Sequence, residues 1–146
     1  GMPEEHPVKD RHAFRCAVEA GDLGGMIDLF RADAVLYSPV SFQPFRGKKA
    51  IGGLLFVLME VFEDFRYTDE LDAEDGTQAL VFQAGVGGRE LQGVDLLRFD
   101  DTGRIRELTV LVRPMSGLQA LMQAVGPRLE SLGADTADQA SRATAR

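Results

Sequence analysis

The sequence is poor in the residues that most often build disulfides and metal sites. It contains one cysteine, Cys16, so no disulfide can form within the chain. Its two histidines, His6 and His12, lie near the N-terminus, with no cysteine pair to complete a zinc site. The glycine-rich GVGG at residues 85–88 is not followed by the helix that a phosphate-binding loop needs. We therefore expect no metal and no cofactor.

Long apolar runs and clusters of positive charge are also missing. No stretch approaches the ~20 apolar residues of a membrane-spanning helix, and the first ten residues lack the pattern of a secretory signal. The formal net charge is −7, which repels phosphate backbones, and Arg46, Lys48 and Lys49 form only a small basic group. These features argue against membrane and nucleic-acid partners and predict a cytoplasmic protein.

Helical spacing dominates the first part of the chain. Apolar residues recur at helical intervals between residues 9 and 20, and Asp22 is placed to cap a second helix. The segment AVLYS predicts a short strand that ends at Pro39, and a third helix follows Gly47. This helix contains the pair Gly52-Gly53, which lowers helix propensity and suggests that something approaches the backbone closely there.

The periodicity changes to two from residue 64 onward. Four strands are predicted, DFRYTDEL, QALVFQAGV, RELQGVDLLRF and RIRELTVLVR, with short Gly- and Asp-bearing connections that are typical of antiparallel hairpins. A further helix is predicted after Pro114. We divide the chain into a leader at 1–10, in which Gly1 is interpreted as a tag remnant, a domain at 11–114, a C-terminal helix at 115–132 and a weakly structured tail at 133–146.

Helices followed by a run of strands predict an α+β fold. The helices should cover one face of a curved antiparallel sheet, which leaves the other face for solvent or a partner. The strand at residues 89–99 adds a functional clue, because Asp95 alternates with Leu91, Gly93 and Leu97 on its more apolar face. Asp95 either marks a wet face or bonds a nearby backbone N–H, or it is an acid in an apolar cavity whose pKa is raised by desolvation.

Two stretches, AVEAGDLGGMIDLFRADAVLYSPVSFQPFRG and GVDLLRFDDTGRIRELTV, resemble the nuclear transport factor 2-like superfamily. The similarity is to its SnoaL-like and ketosteroid-isomerase-like members, and it runs from about His12 to Pro114. This resemblance implies a cone-shaped fold, the cystatin-like roll, around an apolar pocket that is open at one end. It also implies a homodimer through the outer sheet face, which would cover Val94, Leu96 and Leu111.

The resemblance allows site residues to be transferred position by position. The aspartate base of ketosteroid isomerases falls on Ser38, and their oxyanion-binding tyrosine falls on Phe14. A supporting tyrosine falls on Leu55, whereas the protonated aspartic acid of the oxyanion site falls on Asp95. Ketosteroid isomerisation through the position of Ser38 is therefore not expected. The arginine of related epoxide hydrolases falls on Gly93, so that reaction is not expected either.

Asp95 remains as the candidate catalytic acid or base. We expect the pocket around it to be lined by apolar side chains together with the hydroxyl of Ser38, namely Phe14, Ser38, Leu55, Phe56, Leu80, Phe82, Leu97, Leu108, Val110 and Val112. The second tyrosine of the chain, Tyr67, is placed at the mouth. Ser38 lacks a histidine within reach and is interpreted as a pocket-rim or turn residue rather than a nucleophile.

Three functional hypotheses remain open at this point. The first is a pocket protein that uses Asp95 in isomerase- or cyclase-like acid-base chemistry on a small hydrophobic, cyclic or polyketide-like molecule. The second is a non-catalytic ligand-binding or dimeric scaffold module with the same fold. The third is an accessory domain that acts through its outer sheet face. A cavity beside Asp95 would favour the first, and a cone filled with side chains would favour the second.

Overall fold

The computed structural model describes residues 10–144, and it describes side chains as far as residue 132. The predicted leader therefore lies outside the described residues except for Asp10. The elements follow in the order α1 (Ala13–Glu19), α2 (Leu23–Asp28), β1 (Phe30–Tyr37), β2 (Phe45–Arg46), α3 (Gly47–Val61), β3 (Glu63–Asp72), β4 (Gln78–Val86), β5 (Arg89–Phe99), β6 (Ile105–Arg113) and α4 (Met115–Thr144). The α+β prediction is confirmed, and the short strand β2 was not predicted.

The six strands form one curved sheet in the order β2-β1-β6-β5-β4-β3. Strands β3 to β6 form the predicted antiparallel meander. The sheet as a whole is mixed, however, because β1 pairs with β6 in parallel. The prediction of a purely antiparallel sheet was therefore wrong at this one junction. Periodicity identifies strands but not their neighbours, and the parallel pair joins strands that are far apart in sequence.

The helices pack on the inner, concave face of this sheet. Asp22 begins α2 as predicted, since its side chain accepts a hydrogen bond from the backbone N–H of Gly25 at 2.9 Å. The close approach expected at the glycine pair of α3 is confirmed for Gly52, where a Cβ atom would lie 2.8 Å from Cδ1 of Ile27 in α2. The missing side chain thus allows α2 and α3 to pack tightly over one end of the sheet.

The last helix, α4, closes the fold by packing against α3 and the ends of β4, β5 and β6. Leu121 and Val125 are buried at this contact. The helix continues to Thr144 and includes Pro127, so it extends across most of the segment that we predicted as a weakly structured tail. The alanines and glutamine of this segment have good helix propensity. Among the helices of residues 10–144, none combines the length and the hydropathy that crossing a bilayer requires.

Candidate functional site

A cavity of about 230 Å³ lies between the helices and the inner face of the sheet. Its wall is largely apolar and is formed by Phe14, Val18, Gly21, Met26, Leu55, Leu58, Met59, Phe62, Phe65, Phe82, Leu108 and Val110, with Glu19, Tyr67 and Asp95 as its ionisable groups. Met59 and the side chain of Glu19 are about half exposed, which places the mouth of the cavity beside the end of α1. Such a concave, mostly apolar site with a few convergent polar groups is typical of small-molecule binding.

Asp95 lies in the wall of this cavity, as the first hypothesis requires. It is in the middle of β5, where it pairs with Leu80 of β4 and Val110 of β6. Its neighbours along the inner face are Gly93, which has no side chain, and the buried Leu97, and Asp95 itself is only 8% exposed. The alternation of β5 thus places a carboxyl group on the inner face between a glycine and a leucine, with no polar side chain next to it along that face of the strand.

The partner of Asp95 is the hydroxyl group of Tyr67, which donates a hydrogen bond of 2.7 Å to its Oδ2 atom. Tyr67 reaches the inner face because of the register between β3 and β4. Tyr67 pairs with Phe82 and Asp69 with Val81, so Thr68 is an extra residue that forms a β-bulge. Beyond the bulge, Glu70 pairs with Leu80, and Tyr67 and Glu70 therefore share the inner face although they are three residues apart.

Burial controls the protonation of both members of this pair. Desolvation raises the pKa of Asp95 to about 7, and the hydrogen bond from Tyr67 partly opposes this increase. Burial, followed by the charge of Asp95, raises the pKa of the Tyr67 hydroxyl above its ordinary value. Tyr67 therefore remains a hydrogen-bond donor near neutral pH, whereas Asp95 exchanges a proton in that range. A carboxyl group with this pKa can act as either an acid or a base.

A second layer of charged groups holds the ring of Tyr67. The guanidinium carbon of Arg15 lies 5.7 Å from the centre of the ring. Nε of Arg15 lies 3.0 Å from Oε1 of Glu19, and its Nη1 atom lies 3.7 Å from Oε1 of Glu70. Oε2 of Glu70 in turn lies 2.8 Å from Nδ1 of His12. These contacts join the α1 region to β3 next to the ring of Tyr67.

The structure brings six of the eleven predicted site residues together around the cavity. They are Asp95, Phe14, Leu55, Phe82, Leu108 and Val110. Leu80 and Leu97 lie on the inner face as expected but are fully buried in the packed core rather than in the cavity wall. Val112 is half-buried against the core, also outside the lining. The remaining two, Ser38 and Phe56, lie elsewhere.

Phe56 and Ser38 require corrections. Phe56 is 48% exposed, because one residue along α3 from Leu55 is a rotation of about 100°, which turns its ring toward solvent. The hydroxyl of Ser38 accepts a hydrogen bond of 3.1 Å from the backbone N–H of Val40 and does not line the cavity. Of the two interpretations of Ser38, the turn residue applies and the pocket-rim hydroxyl does not.

Tyr67 was also misplaced by sequence reasoning, because it lies inside the cavity wall rather than at the mouth. Its exposed fraction is 8%, and its ring packs edge-on against Phe65 at 5.0 Å. One signal was available in the sequence: a tyrosine in an amphipathic strand needs a partner for its hydroxyl when it is buried. The bulge at Thr68 gives no such signal, so the partner could not be identified from the pattern alone.

The match to known families agrees with this architecture. Residues 11–108 match the family model described as a SnoaL-like domain. The chain belongs to the SnoaL-like family. The predicted resemblance is confirmed by this match, which covers most of the described fold. No curated protein is similar enough to the chain to match it.

Several solved structures resemble this SnoaL-like chain. A steroid delta-isomerase from Pseudomonas aeruginosa is 41% identical, with a TM-score of 0.79, over 89% of this chain and 99% of that one. An uncharacterized bacterial protein with a cystatin-like fold, from Silicibacter pomeroyi, is 27% identical, with a TM-score of 0.76, over 81% and 83% of the two chains.

A more distant similarity is to SalBIII, an epoxide hydrolase/cyclase-like enzyme in pyran ring formation in the polyether salinomycin. It is 18% identical, with a TM-score of 0.59, over 73% of this chain and 88% of that one. At this identity the likeness concerns the fold alone. The SnoaL-like fold is thus found in proteins with isomerase and cyclase names, and the chemistry of this chain has to be argued from its own side chains.

Proposed function

We propose that this SnoaL-like protein binds a small, hydrophobic carbonyl compound and catalyses proton transfer on it, in the manner of an isomerase or cyclase. The observation that carries the proposal is the Tyr67–Asp95 pair in the wall of an apolar cavity. A cyclic ketone or a β-dicarbonyl unit of polyketide type fits this chemistry, because its carbonyl oxygen needs a hydrogen-bond donor and its neighbouring C–H bond is already acidic.

Protonated Asp95 is the donor that such a carbonyl oxygen would meet. Tyr67 already donates to Oδ2 of Asp95, which orients the carboxyl group and leaves its other oxygen for the ligand. The resemblance to ketosteroid isomerases predicted a tyrosine at the position of Phe14. Tyr67 supplies a phenol to the same cavity from β3 instead. The name of the steroid delta-isomerase relative supports proton transfer next to a carbonyl group as the reaction class.

Proton exchange between a ketone and solvent tests this proposal. We expect the protein to accelerate deuterium incorporation next to the carbonyl group of a β,γ-unsaturated cyclohexenone in D₂O, followed by NMR. Asp95→Asn should lower this rate by about 10²–10⁴-fold, because the amide can hold the ligand but cannot deliver a full proton. Gln92→Asn, on the outer face of the same strand, is the matched control and should keep the wild-type rate.

The alternative is a binding module without turnover. It is favoured by the position of Ser38, whose hydroxyl is used in a local turn where the related isomerases hold their base. The same experiment separates the two functions. Titration with para-nitrophenol, whose absorbance reports the charge of the bound phenol, measures binding independently of turnover. If the protein binds the phenol but does not accelerate exchange, it is a binding module, and the proposed catalytic function is wrong.

We also propose that two copies of the chain associate through the outer sheet face. Two adjacent rows cross this face: Leu111, Val94 and Val81 form one across β6, β5 and β4, and Tyr37 and Leu96 lie in the other on either side of Thr109. Tyr37 is 42% exposed and Leu111 is 54% exposed. A contiguous apolar patch on an exposed sheet is typical of a protein interface. The cytoplasmic location stays a prediction.

A further inference from the structure

Glu19 is the carboxylate at the mouth of the cavity that contains Asp95. It is the last residue of α1, and it lines the cavity together with Val18 and Gly21. Its side chain is 51% exposed, in contrast to the buried Asp95. Among the described residues, the cavity lining therefore contains two carboxyl groups in different environments, one desolvated at the wall and one in contact with solvent.

The carboxylate of Glu19 has a hydrogen-bond partner on its own helix. Nε of Arg15 donates a hydrogen bond of 3.0 Å to its Oε1 atom. The same guanidinium group lies against the ring of Tyr67 and near Glu70, so it is fixed by contacts on three sides. The negative charge of Glu19 also contributes to the increase in the pKa of the Tyr67 hydroxyl.

Proton transfer between carbon atoms needs a base as well as an acid. Asp95 is paired with Tyr67 and suits the role of acid at the carbonyl oxygen. Ser38 is not basic near neutral pH, and it does not line the cavity. Among the described residues of the lining, Glu19 is the remaining group that can accept a proton from carbon.

We propose that Glu19 is the general base of this site, and this assignment rests on the proposed function above. The carboxylate of Glu19 removes a proton from the carbon next to the carbonyl group. The electrons of the C–H bond form a C=C bond, and the carbonyl oxygen takes the proton of Asp95, which gives a neutral enol. Asp95 then recovers its proton from the enol as Glu19 returns a proton to the same carbon or to its vinylogous position.

A structural role for Glu19 is the competing explanation, because Arg15 and Glu19 are four residues apart on α1 and form an ordinary helix ion pair. Glu19→Gln separates the two roles. Its amide oxygen still accepts a hydrogen bond from Arg15, but it cannot accept a proton from carbon. Glu60→Gln is the matched control, since Glu60 is a half-exposed glutamate paired with Arg128 outside the cavity lining.

The decisive measurement is deuterium exchange of the β,γ-unsaturated cyclohexenone, together with para-nitrophenol binding. We expect Glu19→Gln to lower kcat by about 10²–10⁴-fold with little change in KM or in phenol binding. Glu60→Gln should match the wild-type protein. In Glu19→Ala, added formate should restore part of the rate, because a small carboxylate can occupy the space of the missing one.

Each outcome bears on the assignment. A wild-type exchange rate in Glu19→Gln, or an equal loss of phenol binding, overturns the role of Glu19 but leaves the proposed function standing. Failure of formate to restore any rate in a folded Glu19→Ala protein also counts against the base. A wild-type protein that binds the phenol but exchanges no proton overturns the proposed turnover and the base together.

Discussion

The two faces of the sheet each carry a residue whose polarity does not match its surroundings. Asp95 lies on the inner face and Leu111 on the outer face. Asp95 is a carboxyl group that is 8% exposed, and Leu111 is an apolar side chain that is 54% exposed. They are close in the sheet, since Val94 pairs with Leu111 and Asp95 pairs with Val110. Each placement has a cost in the isolated chain, desolvation of an acid on one face and hydration of a leucine on the other.

The contrast suggests what each face is for. A buried acid beside a cavity, to which the described part of the chain supplies the Tyr67 hydroxyl as donor, is suited to a ligand that adds a further polar contact. An exposed apolar row without a cavity is suited to a flat, apolar partner, and a second copy of the same face provides one. We thus expect the protonation of Asp95 on the inner face to depend on pH and on small ligands. We expect association through the outer face to depend on protein concentration.

The largest effect on stability is expected from pH, through the protonation of Asp95 on the inner face. The folded protein holds the proton of Asp95 up to a pKa of about 7, whereas an unfolded aspartate releases it near pH ~4. Between these values the folded state binds more protons, so the free energy of unfolding falls as the pH rises. The contribution of Asp95 amounts to at most about 4 kcal/mol.

Urea unfolding of the wild-type protein and Asp95→Asn across this pH range measures the effect. The difference between the two proteins isolates Asp95 from the other titrating groups. It should grow in favour of the variant as the pH rises from about 4 to 8 and then level off. Parallel curves for the two proteins would show that Asp95 is not a desolvated acid.

A smaller effect is expected from adding a side chain at Gly93, the inner-face neighbour of Asp95 in β5. A Cβ atom at Gly93 would lie 2.2 Å from Cζ of Phe82 and 2.7 Å from the backbone oxygen of Leu111. Phe82 could move toward the cavity, but the backbone oxygen has no such freedom. Gly93→Ala should therefore lower the free energy of unfolding by about 1–3 kcal/mol and weaken ligand binding.

Chemical denaturation and para-nitrophenol titration of Gly93→Ala check this expectation. Gly126→Ala is the matched control, because the added Cβ atom meets no neighbouring atom within 4 Å and alanine favours a helix. The control should be as stable as the wild type or slightly more so. Equal stability of the two variants would contradict the tight packing of Phe82 over Gly93.

Removing the hydroxyl of Tyr67 should have an effect of similar size. Tyr67→Phe leaves the buried carboxyl group without its donor, which costs about 1–3 kcal/mol of stability. The hydrogen bond now lowers the pKa of Asp95, so its loss should raise that pKa above about 7. Carbon-13 NMR of the Asp95 carboxyl group measures the change, with Tyr37→Phe on the outer face as control. An unchanged pKa would mean that Tyr67 does not bond Asp95 in solution.

The smallest effect on the folded chain is expected on the outer face. Leu111→Lys should change the stability of a monomer by no more than about 0.5 kcal/mol, because the side chain is already exposed. It should nevertheless convert dimers to monomers in sedimentation velocity, since two lysines would face each other in the interface. Met122→Lys, on α4, should leave the dimer intact. A wild-type protein that sediments as a monomer would contradict the proposed association.

Much of the fold could be predicted because period and turn chemistry are local. The alternation of residues 89–99 placed Asp95 on the more apolar face of its strand, which the structure shows to be buried, and Asp22 and Gly47 marked helix boundaries near those observed. The parallel pairing of β1 with β6 depends on contacts between distant segments, and no local pattern records it. Domain boundaries stay predictions.

The site could be predicted only in part, for the same reason. Phe14, Phe82 and Val110 line the cavity because they lie on the inward-facing sides of their elements, and periodicity predicts these sides. Ser38 and Phe56 were misplaced, one by a local hydrogen bond and the other by a single step of helical rotation. The Tyr67–Asp95 pair depends on the bulge at Thr68 and on the length of the tyrosine side chain. The alternation of a single strand predicts neither of them.

The bulge at Thr68 also determines how this chain should be aligned with its relatives. Pairing assigns Tyr67 to Phe82 and Glu70 to Leu80, so the residues before and after Thr68 follow different parities. A relative with a regular strand would match both segments only if a one-residue gap were placed at Thr68. Deleting Thr68 should accordingly keep Tyr67 and Glu70 on the inner face. An ungapped alignment through β3 would instead equate Glu70 with an outward-facing residue and lead to a wrong transfer of its role.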